Sequence, residues 1–227
     1  MIDELSTKMR AYLAEIYRLS DIERPEDGYV STSALADMLF VSPPAVNRMV
    51  NRLKELSLIE HEPYHGIKLT PDGEKEALHY LRAQRIAEVF LSKVMGFGWG
   101  DIYQEASCIS PALSDALIDR MAAMSGNPRY CPHGEPIPRA DGSIETMNDI
   151  RLSDIEEAAT VKVTRMRTRE ADRLNYIQAL GLLPGIELEV IHKAPFDGPL
   201  QLKIGKEYRI IGHNLAELIR VHVISSS

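Results

Sequence analysis

The pair Pro43-Pro44, with Ser42 before it and AVNRMVNRLKE after it, restricts the possible folds of this chain more than any other feature. Proline has no N–H to donate to a preceding turn, and its ring collides with the carbonyl four residues back, so the pair cannot sit inside a helix. It suits a first turn, where the N–H groups lack intrahelical partners anyway and serine serves as N-cap. A helix therefore begins at Ser42, and Val46, Met49, Val50 and Leu53 give it an apolar stripe that runs out near Leu56. Upstream, Ser31, Thr32 or Ser33 can cap a short helix carrying Leu35, Met38 and Leu39. Phe40-Val41 is left as the turn between the two helices.

A third helix comes first, with Ser6 as N-cap and Met9, Tyr12, Leu13, Ile16 and Tyr17 at helical spacing. After the Pro-led helix, LIEHEPYHGIKLTPDG alternates around His65-Gly66 as a two-stranded hairpin does. Helix, short turn, second helix and hairpin is the order of a winged helix-turn-helix. On the face opposite the apolar stripe lie Ser42, Asn47, Arg48, Asn51 and Arg52, and Asn and Arg are the side chains suited to base edges and phosphates. Lys68 in the hairpin and Lys54 at the helix end suit phosphate. The net charge of −7 argues against a protein that coats nucleic acid over its whole surface, so contact with DNA is expected to be local to this face.

Beyond the hairpin, Glu74 to Val94 can form one long helix, followed by helices over Gly100–Cys108 and Ser110–Met124, the latter capped by Ser110-Pro111. GNPRYCPHGEPIPRADGS is dense in Pro and Gly and reads as an extended linker, with a boundary between Asp149 and Glu157. The pattern then turns to period two at Val161 and Val163, Ile186 to Val190, Leu200 to Ile204, and Tyr208 and Ile210. With tight turns at FDGP and IGKE, it predicts a small antiparallel barrel interrupted by one helix, Glu170–Leu180, that stops at Gly181. No apolar run approaches the roughly 18 residues of a membrane span, and the first residues lack a secretory signal, so a cytoplasmic location is expected. Two cysteines are too few for a disulfide framework and match no zinc spacing. A Gly-rich phosphate loop, a nucleophile elbow and a convergent His–carboxylate motif are all missing, so the reading is not an enzyme.

YLAEIYRL, SALADMLFVSPPAVNRMVNRLKELSLI, LTPDGEKEA, CPHGEPIP and LGLLPG, taken in this order, resemble the diphtheria toxin repressor family of iron- and manganese-responsive regulators. The resemblance spans nearly the whole chain. It implies a mainly α protein with a small β domain: a winged helix-turn-helix over 1–73, a helical dimerisation domain with the Pro/Gly-rich linker over 74–150, and an SH3-like barrel over 151–227. Matched position by position, base reading falls on Ser42, Pro44 and Arg48, and phosphate contacts on Thr32, Ser33, Asn47 and Arg52, with Lys68 in the wing. The implied partners are double-stranded operator DNA and a second copy of the chain, joined through the helices between Glu74 and Met124.

The chain departs from the family at the metal-sensing positions. Those on the first helix fall on Ala11 and Ala14, and the spine histidine falls on Gln84, while the spine glutamate is kept as Glu88. The later ligand positions fall on Tyr103, Ser107, Ser110 and Pro111. A transition metal wants imidazole, carboxylate or thiolate, and one glutamate among hydroxyls competes poorly with water. The expected function is a dimeric repressor that is not activated through the usual metal site and has no cofactor there. One alternative is a divalent transition metal, Mn or Fe, at a rebuilt site of Glu88, Glu105 and Cys108; another is a protein-interaction module whose helix-turn-helix is relict. Cys108 otherwise reads as a small buried hydrophobe, and Cys131 with His133 as an incidental pair in the linker. In the barrel, Arg167, Thr168, Arg169 and Glu170 lie near the family's accessory ligands, and Glu170 alone has a strong donor.

Overall fold

The computed structural model describes residues 5–225. Packing divides the chain into two compact units: one holds the chain through Gln84 together with Pro138–Ile144, the other Arg85–Ile137 and the chain from Glu145 onward.

In the first unit, α1 (Thr7–Glu23) begins as expected, with the Ser6 hydroxyl accepting from the Met9 N–H, and α2 (Thr32–Leu39) is capped by Ser31. Phe40 closes α2 in a left-handed conformation, φ 53°, and α3 (Pro43–Glu55) follows after a short turn. Ser42 is the N-cap of α3, yet its hydroxyl makes no capping bond. The reason is local: N1 and N2 are prolines without N–H, and the next donor, Ala45 N, already binds the Ser42 carbonyl at 2.9 Å. Strands β1 (Ile59–Glu62) and β2 (Gly66–Leu69) pair antiparallel as the wing, and Val30 adds a bridge to Ile67. Tyr12, Leu13 and Ile16 of α1, Leu35 of α2, Val46, Val50 and Leu53 of α3, and Ile59 and Ile67 of the wing share one core. Burying each such aliphatic side chain stabilises the unit by about 1.5–3 kcal/mol before entropy is counted. The same burial aims the other face of α3 outward. Helix α4 (Pro71–Lys93) starts in this unit and continues into the second.

In the second unit, α5 (Ile102–Ile109) runs into a 3₁₀ turn at Ser110–Ala112. The expected cap at Ser110-Pro111 is therefore corrected: Leu113 is extended, and Ser114 caps α6 (Asp115–Met124) by accepting from the Leu117 N–H. Proline fits either kind of first turn, so it could not distinguish them. Six antiparallel strands follow: β3 (Ile150–Arg151), β4 (Thr160–Met166), β5 (Glu187–Lys193), β6 (Leu200–Ile204), β7 (Glu207–Ile211) and β8 (Ile219–Ser225), in the order β3-β8-β4-β5-β6-β7. Helix α7 (Ala171–Ala179) interrupts them and ends at Gly181, and a short α8 (His213–Ala216) precedes β8. Alternate residues Val161 and Val163, Leu188 and Val190, and Leu200 and Leu202 are buried, as are Leu174 and Ile177 of α7. No described helix is long and apolar enough to cross a membrane.

Candidate nucleic-acid interface and metal centre

The outward face of α3 carries Ser42, Pro44, Asn47, Arg48, Asn51 and Arg52, all exposed. Asn47, Arg48 and Asn51 make no side-chain hydrogen bond or ion pair with any described residue, so their donors and acceptors are unspent. Arg52 reaches Glu55 at 3.1 Å, an exposed i,i+3 pair of little strength that a phosphate can displace. Ser33 is exposed and Thr32 half-buried at the start of α2. Lys68 is less free: its ammonium donates to the Asp27 carbonyl at 2.8 Å and lies 5.6 Å from the Tyr29 ring centroid. Lys54 likewise donates to the His61 carbonyl at 3.1 Å.

Of the two positions matched to first-helix ligands, Ala11 is half-buried and Ala14 is filled by packing. Ala14 is fully buried and clusters with Leu78 and Leu81 of α4. One turn further along α1, Arg18 is buried and donates to Glu15 at 2.5 Å and to Gln84 of α4 at 2.7 Å. A guanidinium built into the chain thus ties α1 to α4. Tyr103 lies under another, the Arg169 carbon being 4.9 Å from its ring centroid, and Ser107 spends its hydroxyl on the Tyr103 carbonyl. Ser110 is buried and Pro111 exposed.

Glu88 does meet potential ligands, but not the expected ones. Glu105 and Cys108 are exposed, which corrects the reading of Cys108 as a buried hydrophobe. The carboxylate of Glu88 faces Cys131 and His133 instead, all three buried, with ligand atoms within 4.8 Å of one another. The segment first read as a loose linker is an ordered turn here. Gly134 N donates to the Cys131 carbonyl at 2.9 Å, with Pro132 and His133 between them, which suits proline after the first turn residue. Gly134 has φ +87°, and a Cβ there would lie 2.0 Å from the Thr164 carbonyl oxygen, so only glycine lets the turn press onto β4.

The imidazole of His133 is fixed by two acceptors. Nε2 lies 3.0 Å from the Trp99 carbonyl, which can only accept, so Nε2 carries a proton. Nδ1 lies 3.2 Å from Glu88 Oε2, and two lone pairs cannot face each other there without a cation, either a second proton or a metal. A His N–H held by a backbone carbonyl is the usual support of a metal-bound imidazole. Burial and the Glu88 carboxylate push the Cys131 thiol well above its ordinary pKa, so a metal must displace the proton from sulfur. Carboxylate, imidazole and thiol together fit a zinc-like or other borderline divalent metal, with a fourth position open.

Comparison with known proteins places these features in one lineage. The model of the iron dependent repressor N-terminal DNA binding domain matches residues 4–67, that of the iron dependent repressor metal binding and dimerisation domain matches 70–139, and the FeoA domain matches 150–223. A helix-turn-helix transcriptional regulator of Methanocaldococcus jannaschii is 32% identical over 118 residues, which is 52% of this chain and 91% of that protein. The chain belongs to the iron-dependent repressor family. Among relatives, the iron-dependent repressor IdeR of Mycobacterium leprae is 25% identical across 98% of this chain and all of its own length. Among solved structures, a manganese-dependent transcriptional repressor complexed with manganese superposes with a TM-score of 0.87 at 28% identity, over 95% of this chain and all of the other. IdeR of T. acidophilum gives 0.78 at 28% identity, over 97% and 99%. The chain thus has the family fold, and within its first unit α1 and α4 meet through Ala14, Leu78 and Leu81 and through the Arg18–Gln84 hydrogen bond.

Proposed function

We propose that the protein is a homodimeric operator-binding repressor that reads DNA through α3, works in the cytoplasm, and holds its DNA-binding domain to α4 without a transition metal. The observation that carries the reading function is the exposed, unspent row Asn47, Arg48 and Asn51, set opposite a fully buried stripe. Residues 1–73 read DNA, 74–150 supply the dimer contact and 151–227 form the small β domain. Arg48→Ala is expected to weaken binding to the best duplex selected from a random pool by about 1–3 kcal/mol and to relax preference at one base position, measured by fluorescence anisotropy at fixed salt. Unchanged affinity and preference would remove α3 from the groove.

Exposed Leu117 and Met124, two turns apart on α6, share a helix face, and Val94, Met95 and Phe97 add exposed apolar area at the end of α4. Apolar surface of this kind supports a twofold contact. Sedimentation at micromolar concentration should show a dimer, and Leu117→Glu should shift it to monomer; a wild-type monomer would overturn the contact.

The Glu88, Cys131 and His133 cluster favours a metal with a structural task. These residues would hold it, and it would supply a positive charge that replaces the thiol proton and locks the turn at 131–134. All three belong to the second unit, whereas α1 to α3 belong to the first. We infer that the metal stabilises the turn rather than gating the reading helix.

A further inference from the structure

The pairing of β3, β8 and β4 brings three arginines into a row. Arg220 of β8 is the register partner of both Arg151 on β3 and Arg165 on β4. Like charges directly opposite one another weaken a sheet, so a row of three requires compensation. A register shift between Val163 and Arg165 creates it, by setting Arg165 rather than Thr164 against Arg220. Bulges of this kind re-aim side chains and gather near functional sites.

Carboxylates compensate only part of the row. Asp149 takes Arg165 in a two-pronged pair at 2.7 and 2.9 Å, and Glu217 lies 4.0 Å from Arg151. Glu135 pairs with Arg165, Arg167 and Arg85. Arg220, only 8% exposed, makes no hydrogen bond or ion pair with any described residue, and its Nε is wholly covered. Desolvation lowers its pKa, as do Arg167, Arg151 and Arg165, with Asp149 opposing. A covered N–H without an acceptor is costly, and Nε of Arg220 is one.

We propose that Arg220, with Arg151 at its rim, forms an anion site on the β domain for a small tetrahedral dianion, namely phosphate, either free or as a monoester. Guanidinium groups match phosphate oxygens in pairs. The depth of Arg220 favours a small ligand over a duplex backbone. This site is separate from the α3 face and from the Glu88, Cys131 and His133 cluster, so it stands whether or not those readings hold.

Isothermal titration of the full-length protein with inorganic phosphate, at constant ionic strength in chloride, tests it. Saturable binding near one phosphate per chain is expected, with Arg220→Gln weakening it at least tenfold and Arg151→Gln by several-fold. Circular dichroism checks that both variants fold, and if Arg220→Gln does not, Arg151→Gln decides. A parallel titration with glycerol 1-phosphate separates the sources: binding equal to phosphate supports a monoester ligand, and exclusion supports free phosphate. Heats no larger than those of matched chloride, or binding unchanged in both variants, would overturn the proposal. So would weaker duplex binding by Arg220→Gln with no heat from phosphate, which would place these arginines on DNA.

Discussion

Arg18→Met should destabilise the protein by about 3–5 kcal/mol, the cost of leaving one member of a buried ion pair without its partner. Arg18 and Glu15 are 7% and 5% exposed, and Gln84, which accepts from the same guanidinium, is 1% exposed. The double variant Glu15→Leu with Arg18→Met removes both charges and should recover most of the loss, because an apolar pair of similar volume commonly matches a buried ionic one. Urea unfolding followed by circular dichroism gives the magnitude, and faster hydrogen exchange in the α1 amides would place the loss at the α1–α4 contact. A loss under about 1 kcal/mol would mean that the tie contributes little.

Metal-free protein should take up one zinc ion per chain through Glu88, Cys131 and His133. Cys131→Ser or His133→Ala removes a direct ligand, so each should weaken affinity beyond the roughly 10–100-fold typical of losing an outer-shell partner. The thiol is raised by burial and by Glu88, and the metal must displace its proton. Affinity should therefore climb at least about tenfold per pH unit below the thiol pKa, because binding releases the sulfur proton. Direct competition with a colorimetric chelator measures both. Zinc affinity that is unchanged in these variants, yet lost on Cys108→Ser, would return the site to α5.

Sequence periodicity exposed most of the fold because burial here follows local pattern. The prolines at 43 and 44 located α3 to the residue, and the period-two runs found β4 to β7. Strand β8 was missed because only its first residues, Ile219–Val221, are buried and no alternation shows. The polar face of α3 was legible for the same reason as its apolar stripe. Cys131 and His133 were not, since Pro and Gly density marks a turn without saying whether the turn is buried. The sharper signal was the combination of proline two residues before glycine with two ligand types flanking the proline. Glu15 and Arg18 were overlooked although they interrupt the apolar run Leu13, Ile16 and Leu19 at i,i+3 spacing, as a buried pair must. The arginine row could not be foreseen at all, because it depends on a register shift that no local pattern encodes.

The central claim is that the reading domain is competent without a transition metal, its α1–α4 tie being the Arg18 guanidinium and not a metal ion. A ligand shifts a conformational equilibrium only by its differential affinity for the two states, and a metal that holds the turn at 131–134 has no such leverage on α3. The most direct test is fluorescence anisotropy of the selected duplex titrated with metal-free protein in excess chelator, repeated after adding manganese, ferrous iron or zinc. Affinities that agree within about threefold, alongside a higher melting temperature with zinc, are the expected result. A gain of tenfold or more on adding any of these metals, abolished by His133→Ala, would contradict the account and make the cluster a sensor.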